Sequence, residues 1–240
     1  MTQWNSAPTR MTLDANHVDV WLLQNDQSAP TQSLGKTLSA AEQARAARFK
    51  FDKDRRLFVT AHAGMRAILA KYLGADPLRL EFIEGQNGKP AFAPDSAWRE
   101  VEFNLSHSHQ AALLAVAIGR VVGVDIEYVK RDFEFAEVAE RFFTAQEVAA
   151  LRNLPSDLQR SAFFKCWTSK EAFLKAKGTG LSGELDEVSI TLTSDQRVKV
   201  SAAVPGWTLT ELNSIDGYEA ALVCEKGLTS VQHYLWNSVA

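Results

Sequence analysis

The chain has 240 residues and a formal net charge of −3, with 46% apolar and 23% charged residues, proportions of an ordinary globular protein of one large domain or two small ones. No basic tail points to bulk nucleic-acid binding, two cysteines make no disulfide framework, and the longest apolar run, Ala111–Ile118, is far too short to cross a bilayer. The first residues carry no apolar signal-peptide core, so a cytoplasmic protein with reduced thiols and neither nucleic acid nor membrane as partner is expected.

In chain order, His17–Gln24 reads as a strand. A helix then opens with a capping box, Ser39 as N-cap and Glu42 three residues on. The basic stretch Arg48–Arg56 leads into a long helix over about Asp54–Leu73, closed by Gly74. Short strands are predicted at Leu80–Ile83, Val101–Leu105, Ala111–Ile118 and Val121–Tyr128, with a turn at Asn87–Phe92 and a polar turn at Ser106–His109. A second capping box follows at Thr144 and Glu147, and Pro155-Ser156-Asp157 introduces a second long helix that ends at Gly178. Strands are predicted for the remainder: Glu187–Leu192, Val198–Ala203, Trp207–Asn213, Tyr218–Cys224 and Val231–Trp236.

This order contains a repeat. "VDVW" at Val18–Trp21 resembles "VDIE" at Val124–Glu127, "LSAAEQA" resembles "FTAQEVA", and both long helices close in Lys-x-x-Gly. A fold of two similar α+β halves is expected, residues 1–119 and 120–240, joined near Ile118–Val122 with a cleft between them. Having joined its halves already, such a chain is expected to be a monomer. Asp19 falls opposite Asp125, Trp21 opposite Glu127, and Arg66 opposite Glu171, so the second half carries the acids.

Asp125 and Glu127 are two apart on a strand and share a face, with Cα atoms about 7 Å apart. At an effective dielectric of about 20, two charges at that range repel by about 2 kcal/mol. A solvated edge would tolerate this through screening; a hard-oxygen Mg²⁺ site would use it, since Mg²⁺ takes one or two carboxylates with substrate phosphate and water. Glu171 and Lys175 sit four apart on the second long helix and, taken alone, read as a surface ion pair. Phe163, Phe164, Trp167 and Phe173 make that helix apolar on several faces, which places its acid and its lysines, Lys170 included, along a cleft. Ser106 and His107 lack the Gly-x-Ser-x-Gly setting of a hydrolase nucleophile and could hold a phosphate instead. Lys89, between Gly88 and Pro90, is an exposed hairpin lysine or a phosphate contact.

The segments "GKP", "FNLSHS", "GVDIE", "RFFTAQE" and "WTSKEAFLKAKGTGLS" occur in that order between Asn87 and Ser182, with weaker similarity from about Leu38. The set resembles the 4′-phosphopantetheinyl transferases of the larger, Sfp-type branch. The resemblance implies a pseudo-dimer of two α+β halves with the active site between them. The implied reaction moves the phosphopantetheine arm of coenzyme A onto a serine of an apo acyl carrier protein, or of a carrier domain of a polyketide or peptide synthetase, releasing 3′,5′-ADP. By motif match it implies Mg²⁺ on Asp125, Glu127 and Glu171, and a catalytic role for Glu171 as proton acceptor and for Lys175 on the leaving phosphate. Lys89, Ser106, His107, Lys170 and Lys175 are implied coenzyme A contacts. From the basic stretch, Arg48 and Arg56 are carried to the coenzyme, and Arg45 is left out of that set. The sequence assigns no carrier-contact residues, and Phe133–Arg141 is the segment in which to look for them. Two other readings of the same residues are a Mg²⁺-dependent nucleotide phosphodiesterase and a non-catalytic module that binds coenzyme A or a carrier.

Overall fold

The computed structural model describes residues 3–24, 31–85, 88–179, 185, 188–194, 198–212, 215–225, 227 and 230–237. The first long helix, α3 (Asp52–Leu73), follows two short ones, α1 (Thr31–Gly35) and α2 (Ala40–Ala47). The second, α6 (Ser156–Lys177), follows α4 (Ala136–Phe142) and α5 (Ala145–Arg152). Both α3 and α6 have 22 residues and end on a left-handed glycine, Gly74 (φ 59°) and Gly178 (φ 72°), a conformation that costs glycine nothing. Both α2 and α5 open with the expected capping box, Ser39 with Glu42 and Thr144 with Glu147. The repeat seen in the sequence is therefore a repeat of elements.

Two sheets lie between the long helices. In the first, β1 (Asn5–Ser6), β12 (Ser230–Trp236), β2 (His17–Gln24), β6 (Ala111–Ile118) and β5 (Val101–Ser108) are neighbours in that order. The second runs β10 (Trp207–Glu211), β11 (Tyr218–Glu225), β7 (Val122–Tyr128). Strand alternation sorts the side chains into layers. On β2, Val18, Val20 and Leu22 meet Val122, Val124 and Ile126 of β7 in a core between the sheets, while Trp21 and Leu23 face Met65, Ile68 and Leu69 of α3. On the far side, Ala221 and Val223 of β11 pack with Phe163, Ala172, Phe173 and Ala176 of α6. The result is helix, sheet, sheet, helix, an α+β fold of two similar halves. The chain's last strand, β12, returns to the first sheet and pairs in parallel with β2. No helix among the described residues is long and apolar enough to cross a membrane, and both cysteines are free and buried.

Several boundaries differ from the sequence reading. Leu80–Ile83 is not a strand: a 3-10 turn occupies Pro77–Arg79, and only β3 (Ile83–Glu84) pairs, with β4 (Pro90–Ala91). β5 runs through Ser108, so Ser106, His107 and Ser108 belong to the strand. The turn is only His109-Gln110, with His109 at φ 55°, a two-residue hairpin of the kind that tolerates positive φ. The strand expected at Glu187–Leu192 is instead β8 (Thr191–Ser194), paired with β9 (Val198–Ser201). Asn87, Gly180–Ser182, Glu187 and Asn213, where other expected segments begin or end, lie outside the described residues.

Gly123 fixes how closely α6 approaches β7. A Cβ there would stand 2.2 Å from the Ala172 carbonyl oxygen and 2.4 Å from the Ala176 nitrogen, both backbone atoms. Gly123→Ala must push the helix outward, and the expected loss is about 1–3 kcal/mol of stability. Because Glu171 and Lys175 ride on α6 and Asp125 and Glu127 on β7, any activity that these four residues share should fall as well. Urea unfolding alongside an activity assay checks this; an unchanged midpoint would contradict the close packing.

Candidate active site

β7 places Asp125 and Glu127 on the side that faces α6, as the two-residue spacing requires. Asp125 is 3% exposed. Its Oδ1 accepts hydrogen bonds from Ser106 Oγ at 2.8 Å and Lys175 Nζ at 2.6 Å. Lys175 Nζ also donates to Ser106 Oγ at 2.8 Å, which closes a triangle between β5, β7 and α6. Glu127 Oε2 accepts from Ser108 Oγ at 2.7 Å. Glu171, one helical turn before Lys175, completes the group. Ser106, Asp125, Glu127, Glu171 and Lys175 line a cleft of about 300 Å³ together with His107, walled by Leu105 and Trp167.

The electrostatics of the cleft are unfavourable to its own charges. Burial, then the repulsion of Asp125 and Glu127, lifts the Glu171 carboxyl to about 7 despite the attraction of Lys175. Burial and Asp125 also raise Glu127 against the bond from Ser108 and the pull of Lys175. Asp125 Oδ2 and Glu171 Oε1 are both buried without a hydrogen-bond partner, which is costly for a carboxylate unless a cation answers it. Three carboxylates with two bare oxygens fit a hard divalent ion. Among the described residues no three ligands are already drawn into a closed ion cage, and Mg²⁺ needs none, because it keeps water and substrate phosphate in its shell.

His107 opens to solvent at the end of the cleft. Desolvation by its surroundings, then the repulsion of His62, Lys175 and Arg45, lowers its pKa. Four cationic or potentially cationic groups gathered in one place are suited to a multiply charged anion. His62 and Arg45 line an adjoining cleft of about 700 Å³, bordered by Phe82, Gly88 and Pro90.

The structure thus brings Asp125, Glu127, Glu171, Lys175, Ser106 and His107 together. It does not bring the other expected residues. Lys170 is 0% exposed; its Nζ donates to the Leu185 and Val188 carbonyls, both at 2.7 Å, and pairs with Glu147 Oε2 at 2.9 Å. All three of its donors are used inside the protein, so it has no reach to a diphosphate. Lys89 Nζ bonds the Val122 carbonyl at 3.0 Å and the Lys175 carbonyl at 3.1 Å, tying the β4 strap to β7 and to the negative end of α6. Arg48 and Arg56 line neither cleft; Arg56 Nε pairs with Asp52 Oδ2 at 2.6 Å. Arg45 is the member of that stretch that reaches the larger cleft.

The pairing of Arg66 with Glu171 across the repeat also needs correcting. Counted back from the closing glycines, Arg66 matches Lys170, and Ala67 matches Glu171. The contacts agree. Arg66 Nε bonds the capping-box Glu42 at 2.7 Å, and its Nη1 donates to the Pro77 and Leu80 carbonyls, both at 2.9 Å, as Lys170 does with Glu147 and the chain after α6. Burial would raise the Glu42 carboxyl, but bonds from His62, the Ser39 N–H and Arg66 hold it at about 2. Sequence reasoning missed Asn104 and Ser108. Their signal was the polar alternation Asn104-Ser106-Ser108, which has the same period as the Asp125/Glu127 pair it faces.

Residues 121–223 match the model of the 4′-phosphopantetheinyl transferase superfamily, and residues 25–119 that of the 4′-phosphopantetheinyl transferase N-terminal region. The chain is 39% identical over 220 residues to the 4′-phosphopantetheinyl transferase HetI of Nostoc, covering 91% of this chain and 92% of that one. It is 34% identical to the 4′-phosphopantetheinyl transferase psf-1 of Bacillus pumilus, over 71% of this chain and 72% of that one. With a 4′-phosphopantetheinyl transferase of Bacillus subtilis it shares 32% identity over 68% of this chain and 70% of that one.

Proposed function

The chain belongs to the 4′-phosphopantetheinyl transferase superfamily and is an enzyme of that kind, and on this premise we propose that it moves the phosphopantetheine arm of coenzyme A onto a serine hydroxyl of an apo carrier protein, with Mg²⁺, releasing 3′,5′-ADP. One observation carries the finer part of this reading. Two bare buried carboxylate oxygens, Asp125 Oδ2 and Glu171 Oε1, occur beside the Lys175 ammonium in one cleft. Asp125, Glu127 and Glu171 would hold the ion. When bound, Mg²⁺ supplies charge neutralisation at the diphosphate and withdraws electron density from the attacked phosphorus.

The chain's own residues do the rest. The serine oxygen attacks the phosphorus that carries pantetheine, and the bond from that phosphorus to the bridging oxygen breaks. Glu171 accepts the serine proton, directly or through a water. Lys175, now bonded to Asp125 and Ser106, donates to the leaving phosphate oxygen, which departs as part of 3′,5′-ADP. His107 holds the 3′-phosphate, and Arg45 and His62 extend the same positive field into the adjoining cleft, while Ser106, whose one proton goes to Asp125, braces that acid. Residues 1–119 supply the coenzyme side and 120–240 the acids. The carrier is an acyl carrier protein or a synthetase carrier domain, met by a monomer along Phe133–Arg141, where Arg141 stacks 5.1 Å over the Phe142 ring.

Intact-protein mass spectrometry of an apo carrier incubated with this chain, coenzyme A and Mg²⁺ tests the reading. A gain of one phosphopantetheine arm, abolished by EDTA and restored by excess Mg²⁺, is the expected result. Transfer that survives EDTA would remove the metal from the reading, and 3′,5′-ADP formed without modification of any carrier would remove the transfer.

A further inference from the structure

Sheet two has an edge at β7, and the backbone of β5 does not pair with it. Side chains do the joining instead. Asn104 Oδ1 accepts the Val124 N–H at 2.8 Å, Ser106 Oγ donates to Asp125 at 2.8 Å, and Ser108 Oγ donates to Glu127 at 2.7 Å while accepting the Tyr128 N–H at 3.1 Å. Three residues at strand period thus stitch one half of the molecule to the other. The Val124 and Tyr128 amides, which an edge strand would leave bare, are answered, and each acid of the pair is gripped by one serine.

Ser106 also touches Lys175 and so belongs to the reacting group. Ser108 touches only Glu127 and the Tyr128 amide among the contacts above. Its single proton goes to Glu127 Oε2, and the Tyr128 N–H occupies one of its lone pairs, so its hydroxyl direction is set from both sides. We propose that Ser108 is a positioning residue that holds Glu127 by one oxygen and so leaves the other aimed into the cleft for the divalent ion. The inference rests on the reading of Asp125, Glu127 and Glu171 as the ion's ligands. Partners that orient a ligating carboxylate typically change metal affinity by about 10–100-fold when removed.

The test is Mn²⁺ binding to the whole chain with coenzyme A bound, read from the electron paramagnetic resonance signal of free Mn²⁺, for wild type, Ser108→Ala, Ser108→Thr and Glu127→Ala. Ser108→Ala should weaken Mn²⁺ by about 10-fold or more, with the metal concentration for half-maximal transfer rising in step. Coenzyme A affinity without metal should stay within about twofold, because Ser108 is not a coenzyme contact. Ser108→Thr keeps the hydroxyl and should restore Mn²⁺ affinity, which a role confined to packing would not predict. Unchanged Mn²⁺ affinity in Ser108→Ala beside a large loss in Glu127→Ala overturns the positioning role alone. Unchanged affinity in both variants overturns the ligand assignment, and the positioning role with it. Should Ser108→Ala fail to fold, Ser108→Thr decides: Mn²⁺ affinity well below wild type in that folded variant overturns the proposal, and wild-type affinity supports it.

Discussion

Glu171→Gln is expected to lower transfer at saturating substrates by about 10³-fold or more while making the metal-free protein more stable at pH 8. The activity loss follows from the roles proposed for Glu171, as acceptor of the serine proton and as one charge of the ion's ligand set. The stability gain follows from the carboxyl's position. Burial, with the neighbouring acids, pushes the Glu171 carboxyl up to about 7 in the folded chain from its ordinary 4.5, so the unfolded state releases the proton more readily. A carboxyl raised in this way lowers stability progressively as pH climbs from about 4.5 to about 7, by up to about 3 kcal/mol above that window. Glutamine removes the charge but keeps an amide that must also be desolvated, so a net gain of about 1–2 kcal/mol is expected. Below pH 4.5 both proteins carry a neutral group, and the difference should close. Urea unfolding in EDTA at pH 4.5 and pH 8 measures it. A variant no more stable at pH 8 than at pH 4.5, relative to wild type, would show that neither burial nor the neighbouring acids disfavour the Glu171 charge.

Local signals in the sequence were reliable where the physics is local. Ser39 with Glu42 and Thr144 with Glu147 each need only one helical turn to satisfy one another, and Gly74 and Gly178 need only their own φ. These landmarks placed both long helices and the repeat. The acids on β7 were legible for the same reason, since a two-residue spacing decides a shared face whatever packs against it. What was not legible is non-local. The alternation of Ser230–Trp236 marks a strand but not that it crosses to pair with β2. Lys170 and Glu171 are adjacent on a helix that is apolar on several faces, so periodicity could not say which one meets the cleft and which one meets Glu147. Arg48, Arg56 and Lys89 were chosen as cations near motifs, yet Lys89 is held by two carbonyls and Arg56 by Asp52. The polar run at Ser106–His109 looked like a turn because its alternation answers a strand from the other half of the molecule.

Lys170→Met is expected to cost about 3–5 kcal/mol of stability, because it leaves one partner of a buried ion pair without the other. Glu147 would remain 2% exposed, still accepting the Ile190 N–H at 2.7 Å and the Thr144 N–H at 2.8 Å but without its cation. The Leu185 and Val188 carbonyls would lose their donor as well, loosening the chain that follows α6. Neither effect lies in the cleft. The folded fraction of Lys170→Met should therefore keep its KM for coenzyme A within about twofold of wild type, whereas a lysine that gripped the diphosphate would raise it many-fold. Replacing both partners, as Lys170→Met with Glu147→Leu, removes the stranded charge and should recover part of the loss, since an apolar pair of similar volume often matches a buried ion pair. Arg66 and Glu42 repeat the arrangement on α3 at the same distance from the closing glycine, so Arg66→Met should act in the same direction in the first half. Unfolding midpoints and KM measured on the same preparations separate the two outcomes. A raised KM at an unchanged midpoint would return Lys170 to the coenzyme site, and a lowered midpoint at an unchanged KM fixes it as the tie between α5, α6 and the chain beyond.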